Sequence, residues 1–236
     1  VDARIRSEIG KIWDEVLDCE YCLLEDARNS LGGKSCRLVE VGCGSLGLLG
    51  RKGNRLAELQ ANSLGIDIDR EALATNSNVT YRVCGSCYSL PLQSSSVDLI
   101  VVRWVLEHLD TPERAMCEFA RVLRKGGVLY IKTPNLWNYT MMLSRATPTV
   151  FHNFSRRLTG ESENIPTFYR ANTKGKLAEL ATSCGFAVRR WKTYSYSYMY
   201  YSFNKELFLV MRGLSKLADK FTDRMHQTLL CVMERT

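Results

Sequence analysis

The stretch Leu38–Gly50, "LVEVGCGSLGLLG", decides how the rest of the chain is read. An apolar, strand-like segment runs into Gly42, Gly44 and Gly47, spaced G-x-G-x-x-G. Without a Cβ, Gly42 and Gly44 let the backbone turn sharply and a ligand lie directly against it, and Gly47 lets a helix and a strand pack closely. The spacing alone is shared by NAD, FAD and nucleoside sites, so the ligand has to be read from the residues around it.

Outward from this loop the chain alternates. A helix is expected over about residues 5–30, a strand at 37–41, and helical character in "LAELQAN". The segment "SLGIDID" reads as a short strand with an acidic exit, "EALATN" as a helix start and "VTYRV" as a strand. "VDLIVVRWV" is a continuous apolar run of the kind that is buried on both faces. In "TPERAMCEFARVLRKGG", Thr111 is placed to cap, Pro112 to open the helix and the glycines to stop it. "VLYIKT" is the next strand, and Thr173 or Asn172 caps a helix in "TKGKLAELATSCGF". A strand near 187–194, a helix around 205–221 and a last strand, "TLLCVMER", follow; the short turn before the last strand makes it antiparallel. The expected fold is α/β, a Rossmann-like doubly wound sheet of seven strands, mostly parallel with an antiparallel last strand. In such sheets ligands bind beyond the carboxyl ends of the strands, where the glycine loop, "GIDID", "CGSCYSLPL", Arg103–His108 and "TPN" all fall.

Composition sets the outer limits. With 236 residues and 45% apolar content the chain can bury one substantial core. No run approaches the ~18 to 20 apolar residues of a membrane span, and no basic-then-apolar leader is seen. The expectation is a soluble, cytoplasmic protein. Nine cysteines include two C-x-x-C pairs, Cys19/Cys22 and Cys84/Cys87. Their separation is unlike that of zinc ribbons, so no metal site is expected and the cysteines read as free thiols. The net charge of +7 is unevenly spread: residues 1–119 hold 13 Lys+Arg against 18 Asp+Glu, residues 120–236 hold 19 against 7. The basic half fits an anionic substrate, a nucleic acid or an acidic membrane surface.

Glu40 separates the ligand readings. Two residues before Gly42, its carboxylate would repel a pyrophosphate but suits the ammonium of an amino-acid ligand, or loop amides reached through water. Asp67, ending the second strand, suits both hydroxyls of an adenosine ribose. S-Adenosylmethionine fits this pair better than NAD. Through "VEVGCGSLG", "GIDID", "SLPLQSSSVDLIVVRWVLEHL" and "LRKGGVLYIKTPN", residues 38–135 resemble the class I S-adenosylmethionine-dependent methyltransferases, particularly the small-molecule group that includes ubiquinone and menaquinone biosynthetic enzymes. The resemblance implies that Glu40, Gly42, Cys43 and Gly44 surround the methionine part, that Asp67 binds the ribose and that Ile68 packs on the adenine, with Gly47 and Cys87 also among the cofactor-binding candidates. Arg103 and Trp104 would face the ligand, and S-adenosylhomocysteine would be the product. Where the family usually has Gly-Asp-Ala, this chain has Gly85-Ser86-Cys87, so Ser86 replaces a carboxylate as acceptor for the adenine amine. The loop is also one residue longer than usual, with Leu46 where a glycine is common.

The acceptor side is less determined. Methyl transfer is an in-line displacement that needs a base only when the acceptor must lose a proton. Candidate bases are His152, His108 and Tyr169; His108 in "LEHL" equally reads as a cap of the strand-to-helix turn. Arg170, Arg156 and Arg157 are candidates to hold an acidic substrate group. Residues 136–172 read as a lid-like insertion in a single domain, 1–236, whose other parts are an N-terminal helix (1–33), a cofactor-binding half (34–135) and a C-terminal half completing the sheet (173–236). Tyr194, Tyr196, Tyr198 and Tyr200 stand at period two; if extended they form a strand with a tyrosine face packed on a helix or on a second subunit of a homodimer. The expected activity is methyl transfer to a small molecule, an anionic or sugar-linked one matching the arginines. An RNA or tRNA methyltransferase, supported by the basic half, and a non-catalytic binding module are the alternatives.

Overall fold

The computed structural model describes residues 3–31, 36–48, 59, 62–138, 142, 166–219 and 222–236. A long helix, α1 (Ala3–Ser30), leads into β1 (Leu38–Val41), and β2 (Ser63–Asp67), α2 (Arg70–Thr75) and β3 (Tyr81–Cys84) follow. Then come β4 (Val97–Arg103), a 3₁₀ turn at Leu106–His108, α3 (Pro112–Val122), β5 (Leu123–Pro134), α4 (Lys174–Ser183), β6 (Phe186–Tyr194), α5 (Lys205–Asp219) and β7 (Thr228–Arg235).

The seven strands form one sheet in the order β3-β2-β1-β4-β5-β7-β6. The pairs from β3 to β5 are parallel, and β7 runs antiparallel between β5 and β6. Chain order reverses between β1 and β4, which makes their carboxyl ends the switch point where such sheets take ligands. All seven residues of β4 are buried because helices cover both faces of the strand. Ile100 and Val102 join Leu129, Ile131, Met116, Phe119, Leu177 and Leu180 on the face of α3 and α4. Leu99 and Val101 join Leu38, Tyr130, Tyr21 and Leu24 on the face of α1. The two-residue period of the strands sorts the apolar side chains into these two layers.

Three local expectations are corrected. Thr111 makes no side-chain cap of α3; its hydroxyl bonds Asp110 instead. The helix does not run on to the glycines either. It ends at Val122, because Leu123 already pairs with Val97 and the bulge between Val97 and Leu99 draws "LRKGG" into β5. The tyrosine run is not one strand. β6 stops at Tyr194 and Ser197–Tyr201 forms a 3₁₀ turn, so the face proposed for a homodimer does not exist. Tyr196 and Tyr198 turn inward, packing on Trp13 at 5.4 Å and on Phe208 at 5.7 Å, and the Tyr196 hydroxyl bonds Thr228. Of the two predicted caps for α4, Thr173 is the one that accepts the Lys176 amide. "LAELQAN" lies almost wholly outside the described residues.

Candidate active site

The glycine loop is shaped by fixed contacts on several sides. Gly42, Gly44 and Gly47 all have left-handed backbones, with φ of 71°, 50° and 59°. A Cβ on Gly42 would stand 2.1 Å from a methyl of Val105, so the β4 exit lies directly on the loop. Among the described residues a Cβ on Gly44 would meet nothing within 4 Å, which leaves open space against bare backbone. Glu40, 2% exposed, accepts the Leu48 amide at 2.7 Å and stands where a Cβ on Gly47 would fall. Its carboxylate thus braces the far end of the loop through a direct amide contact.

Asp67 closes the loop from β2. Its Oδ2 accepts the Gly44 amide at 2.7 Å, and its Oδ1 accepts the Asp69 amide at 2.9 Å. Each carboxylate oxygen has further lone pairs, and the residue is only half-buried. Beside it Ile68 is 72% exposed, an apolar side chain left in the open at the end of a buried strand. Gly85 donates its amide to the Asp67 carbonyl, which places Ser86 at the neighbouring strand exit; the Ser86 hydroxyl accepts the Tyr88 amide. Cys43 and Cys87 carry their thiols inward. Burial, then the Glu40 and Asp67 carboxylates, push the Cys43 thiol up to about 12, and burial pushes that of Cys87 up to about 11. Cys43 lies under Gly65, where a Cβ would come within 2.7 Å of its sulfur.

The structure therefore brings together Glu40, Gly42, Cys43, Gly44, Gly47, Asp67, Ile68 and Ser86 at the ends of β1, β2 and β3. Arg103 and Trp104 end β4, with Trp104 in a left-handed backbone at φ 56°. Arg103, 7% exposed, pairs with Glu20 of α1 at 3.1 Å, and Lys132 of β5 meets the same carboxylate and lies 5.0 Å over the Trp104 ring. This buried ion cluster ties α1 to the ligand ends of β4 and β5.

The 3₁₀ turn grips residues 166–170, near the end of the stretch read as an insertion. His108 Nδ1 lies 3.0 Å from the Pro166 carbonyl, the Phe168 and Tyr169 amides donate to the Glu107 carbonyl, and Arg170 donates to the Asp110 carbonyl. Tyr169, with φ 52°, is half-buried, and Arg170 also stacks on Phe168. His152, Arg156 and Arg157 lie outside the described residues.

Three further residues belong to this constellation. Asn76, fully buried, donates to the Gly44 carbonyl at 2.8 Å, and the Tyr21 hydroxyl of α1 donates to the Leu48 carbonyl. Glu107, 4% exposed, accepts the Thr133 hydroxyl, which in turn accepts the amide of buried Asn172 at 2.6 Å. Burial raises the Glu107 carboxyl to about 7. Asn76 follows a helix expected at "EALATN" and so reads as a stop signal, and Glu107 is screened by the more conspicuous His108. Among the described residues no group of three His, Cys, Asp or Glu side chains could hold a metal ion.

Comparison with known proteins agrees with this geometry. Residues 39–131 match the methyltransferase domain family. A probable S-adenosylmethionine-dependent methyltransferase of Mycolicibacterium smegmatis is 32% identical over 156 residues, 64% of this chain and 52% of that protein. A ubiquinone/menaquinone biosynthesis C-methyltransferase of Campylobacter jejuni is 28% identical over 105 residues, 42% of this chain and 44% of that protein. The chain spans about half the length of these curated relatives. The crystal structure of an S-adenosylmethionine-dependent methyltransferase from Mesorhizobium loti superimposes with a TM-score of 0.56 at 18% identity, over 85% of this chain and 91% of that one, and so shares the fold. The glycine loop from Val39 on, Asp67 and the β4 exit all lie inside the stretch that matches the methyltransferase domain family.

Proposed function

We propose that this chain transfers the methyl group of S-adenosylmethionine to a small-molecule acceptor, an anionic or sugar-linked one. The observation that carries the donor half is the Gly44–Asp67–Ile68 arrangement: open space over bare backbone, a half-buried carboxylate beside it, and an isoleucine 72% exposed at the next residue. These fit an adenosine, with Asp67 accepting the ribose hydroxyls, Ile68 covering one face of the base and Ser86 accepting its amine. When bound, S-adenosylmethionine supplies a methyl group on a sulfonium, ready for displacement. Glu40 holds a loop amide and Asn76 a loop carbonyl, so the chain contributes alignment of donor and acceptor.

The basic C-terminal half, with 19 Lys+Arg against 7 Asp+Glu over residues 120–236, supports an anionic acceptor, and Arg170, which donates to the Asp110 carbonyl just beyond the 3₁₀ turn, is the described candidate to hold it. His108 and Tyr169 are the described candidates for accepting a proton, and Glu107 joins them as a buried carboxyl near neutrality.

Calorimetric titration with S-adenosylhomocysteine, with NAD in parallel, tests the reading. Binding of the former that is lost in Asp67→Ala, followed by methyl transfer to a phosphorylated or sugar-linked compound, supports it. Binding of NAD alone, or of neither, overturns the donor half; methylation confined to RNA, weakened steeply by salt, overturns the acceptor half.

A further inference from the structure

Away from the glycine loop, one pair of side chains is placed for chemistry that methyl transfer does not use. Cys117 lies in α3 and Cys184 ends α4, 67 residues later, and their sulfurs are 2.7 Å apart. Cys117 is exposed and Cys184 half-buried. The helices that carry them are fixed to one core, Met116 and Phe119 from α3 against Leu177 and Leu180 from α4. A disulfide measures about 2.05 Å, so an approach of about 0.7 Å would bring the sulfurs to bonding distance. We propose that Cys117 and Cys184 form a redox-active dithiol, a modification site that takes a two-electron oxidant of the peroxide class and closes to a disulfide between α3 and α4.

The two thiols differ in the way such a pair requires. Cys117 meets solvent and is the attacking group. Burial first, and then the hydrogen bond with Cys117, push the Cys184 thiol up to about 11. Cys184 therefore stays protonated and can donate its hydrogen bond to the Cys117 sulfur. The Cys117 thiolate attacks one peroxide oxygen, the O–O bond breaks, and a sulfenic acid and hydroxide result. Cys184 then attacks the sulfenic sulfur, the S–S bond forms and water leaves. Overall two thiols give up two electrons and two protons, and one hydrogen peroxide becomes two waters.

The pair sits at the opposite end of α4 from the candidate active site. Asn172, just before the helix, bonds Thr133 at the end of β5, and the ten residues of α4 carry the chain about 15 Å away before Cys184.

The test is peptide mapping of the full chain after graded hydrogen peroxide, blocking with N-ethylmaleimide and trypsin digestion without reductant. Residues 115–121 and 177–189 form tryptic peptides with one cysteine each. The expected result is that these two are joined, two hydrogens lighter than their sum, at doses that leave the other seven cysteines alkylated. In Cys184→Ser, dimedone captures a sulfenic acid on Cys117; in Cys117→Ser, Cys184 remains a thiol. Separate alkylation of both peptides at doses that oxidise other cysteines would overturn the proposal, as would equal linkage of Cys117 to several partners.

Discussion

The Asp67 carboxylate accepts the Gly44 amide at 2.7 Å, tying the exit of the second strand to the glycine loop of the first. One residue thus shapes the loop and still keeps lone pairs for further donors. Asp67→Ala is expected to lower S-adenosylhomocysteine affinity at least tenfold, since hydrogen bonds to a charged group are worth about 1.5–3 kcal/mol each. Isothermal calorimetry reads the loss directly, and an unchanged affinity would remove Asp67 from the site.

Gly42→Ala and Gly44→Ala separate folding from binding. Both force a left-handed backbone on alanine, costing about 1–2 kcal/mol. Only Gly42→Ala also drives a methyl into Val105. Denaturant unfolding is expected to show the larger loss for Gly42→Ala. Gly44→Ala stays folded and instead loses ligand affinity, because its methyl enters the open space over the loop. Equal stability losses in the two variants would contradict this division.

Asn76→Ala removes the buried amide that holds the Gly44 carbonyl. A loss of about 1–3 kcal/mol in stability is expected from the unsatisfied carbonyl, together with weaker cofactor binding. Faster amide hydrogen exchange at residues 43–48 than in the unaltered chain is the readout that places the effect in the loop.

Glu107 predicts a pH dependence with a definite sign. Its folded carboxyl titrates at about 7, above the 4.5 of the free group, so between these values the folded chain holds a proton that the unfolded chain has released. Stability from this group is complete below pH 4.5, declines as pH rises toward 7 and is then constant. The decline amounts to about 3 kcal/mol at most. Glu107→Gln is expected to flatten the unfolding free energy over this interval; a slope identical to that of the unaltered chain would rule out Glu107 as its source.

Glu20→Ala strips the carboxylate from Arg103 and Lys132 and leaves two cations inside the protein. The expected cost is about 3–5 kcal/mol, read as a lower denaturant midpoint. A change below 1 kcal/mol would mean that this ion cluster does little to hold α1 in place.

The sheet and the glycine loop were legible because their signals are local. The apolar run of β4, the glycines after β1 and the acid after β2 each depend on residues within a few positions. Even the reversal of β7 follows from the short connection before it. What stayed illegible depends on distant partners. Nothing near Tyr196 and Tyr198 announces that Trp13 and Phe208 will receive them and end the strand at Tyr194. Likewise "LEHL" draws attention to His108, whereas the turn leaves that ring half-buried beside Pro166 and buries the glutamate before it. Thr111 has the right chemistry for a cap but spends its hydroxyl on Asp110.

The place of β1 between β2 and β4 also bears on how such a chain can change over time. Every strand bordering the glycine loop comes from residues 38–103, and β6 and β7 join the sheet beyond β5, on the other side of the reversal. The two sides are separate stretches of sequence, meeting mainly where β4 and β5 pair. Substitutions that remodel the later stretch can therefore accumulate with little effect on the earlier one, so the glycine loop can stay fixed while the far edge of the sheet changes.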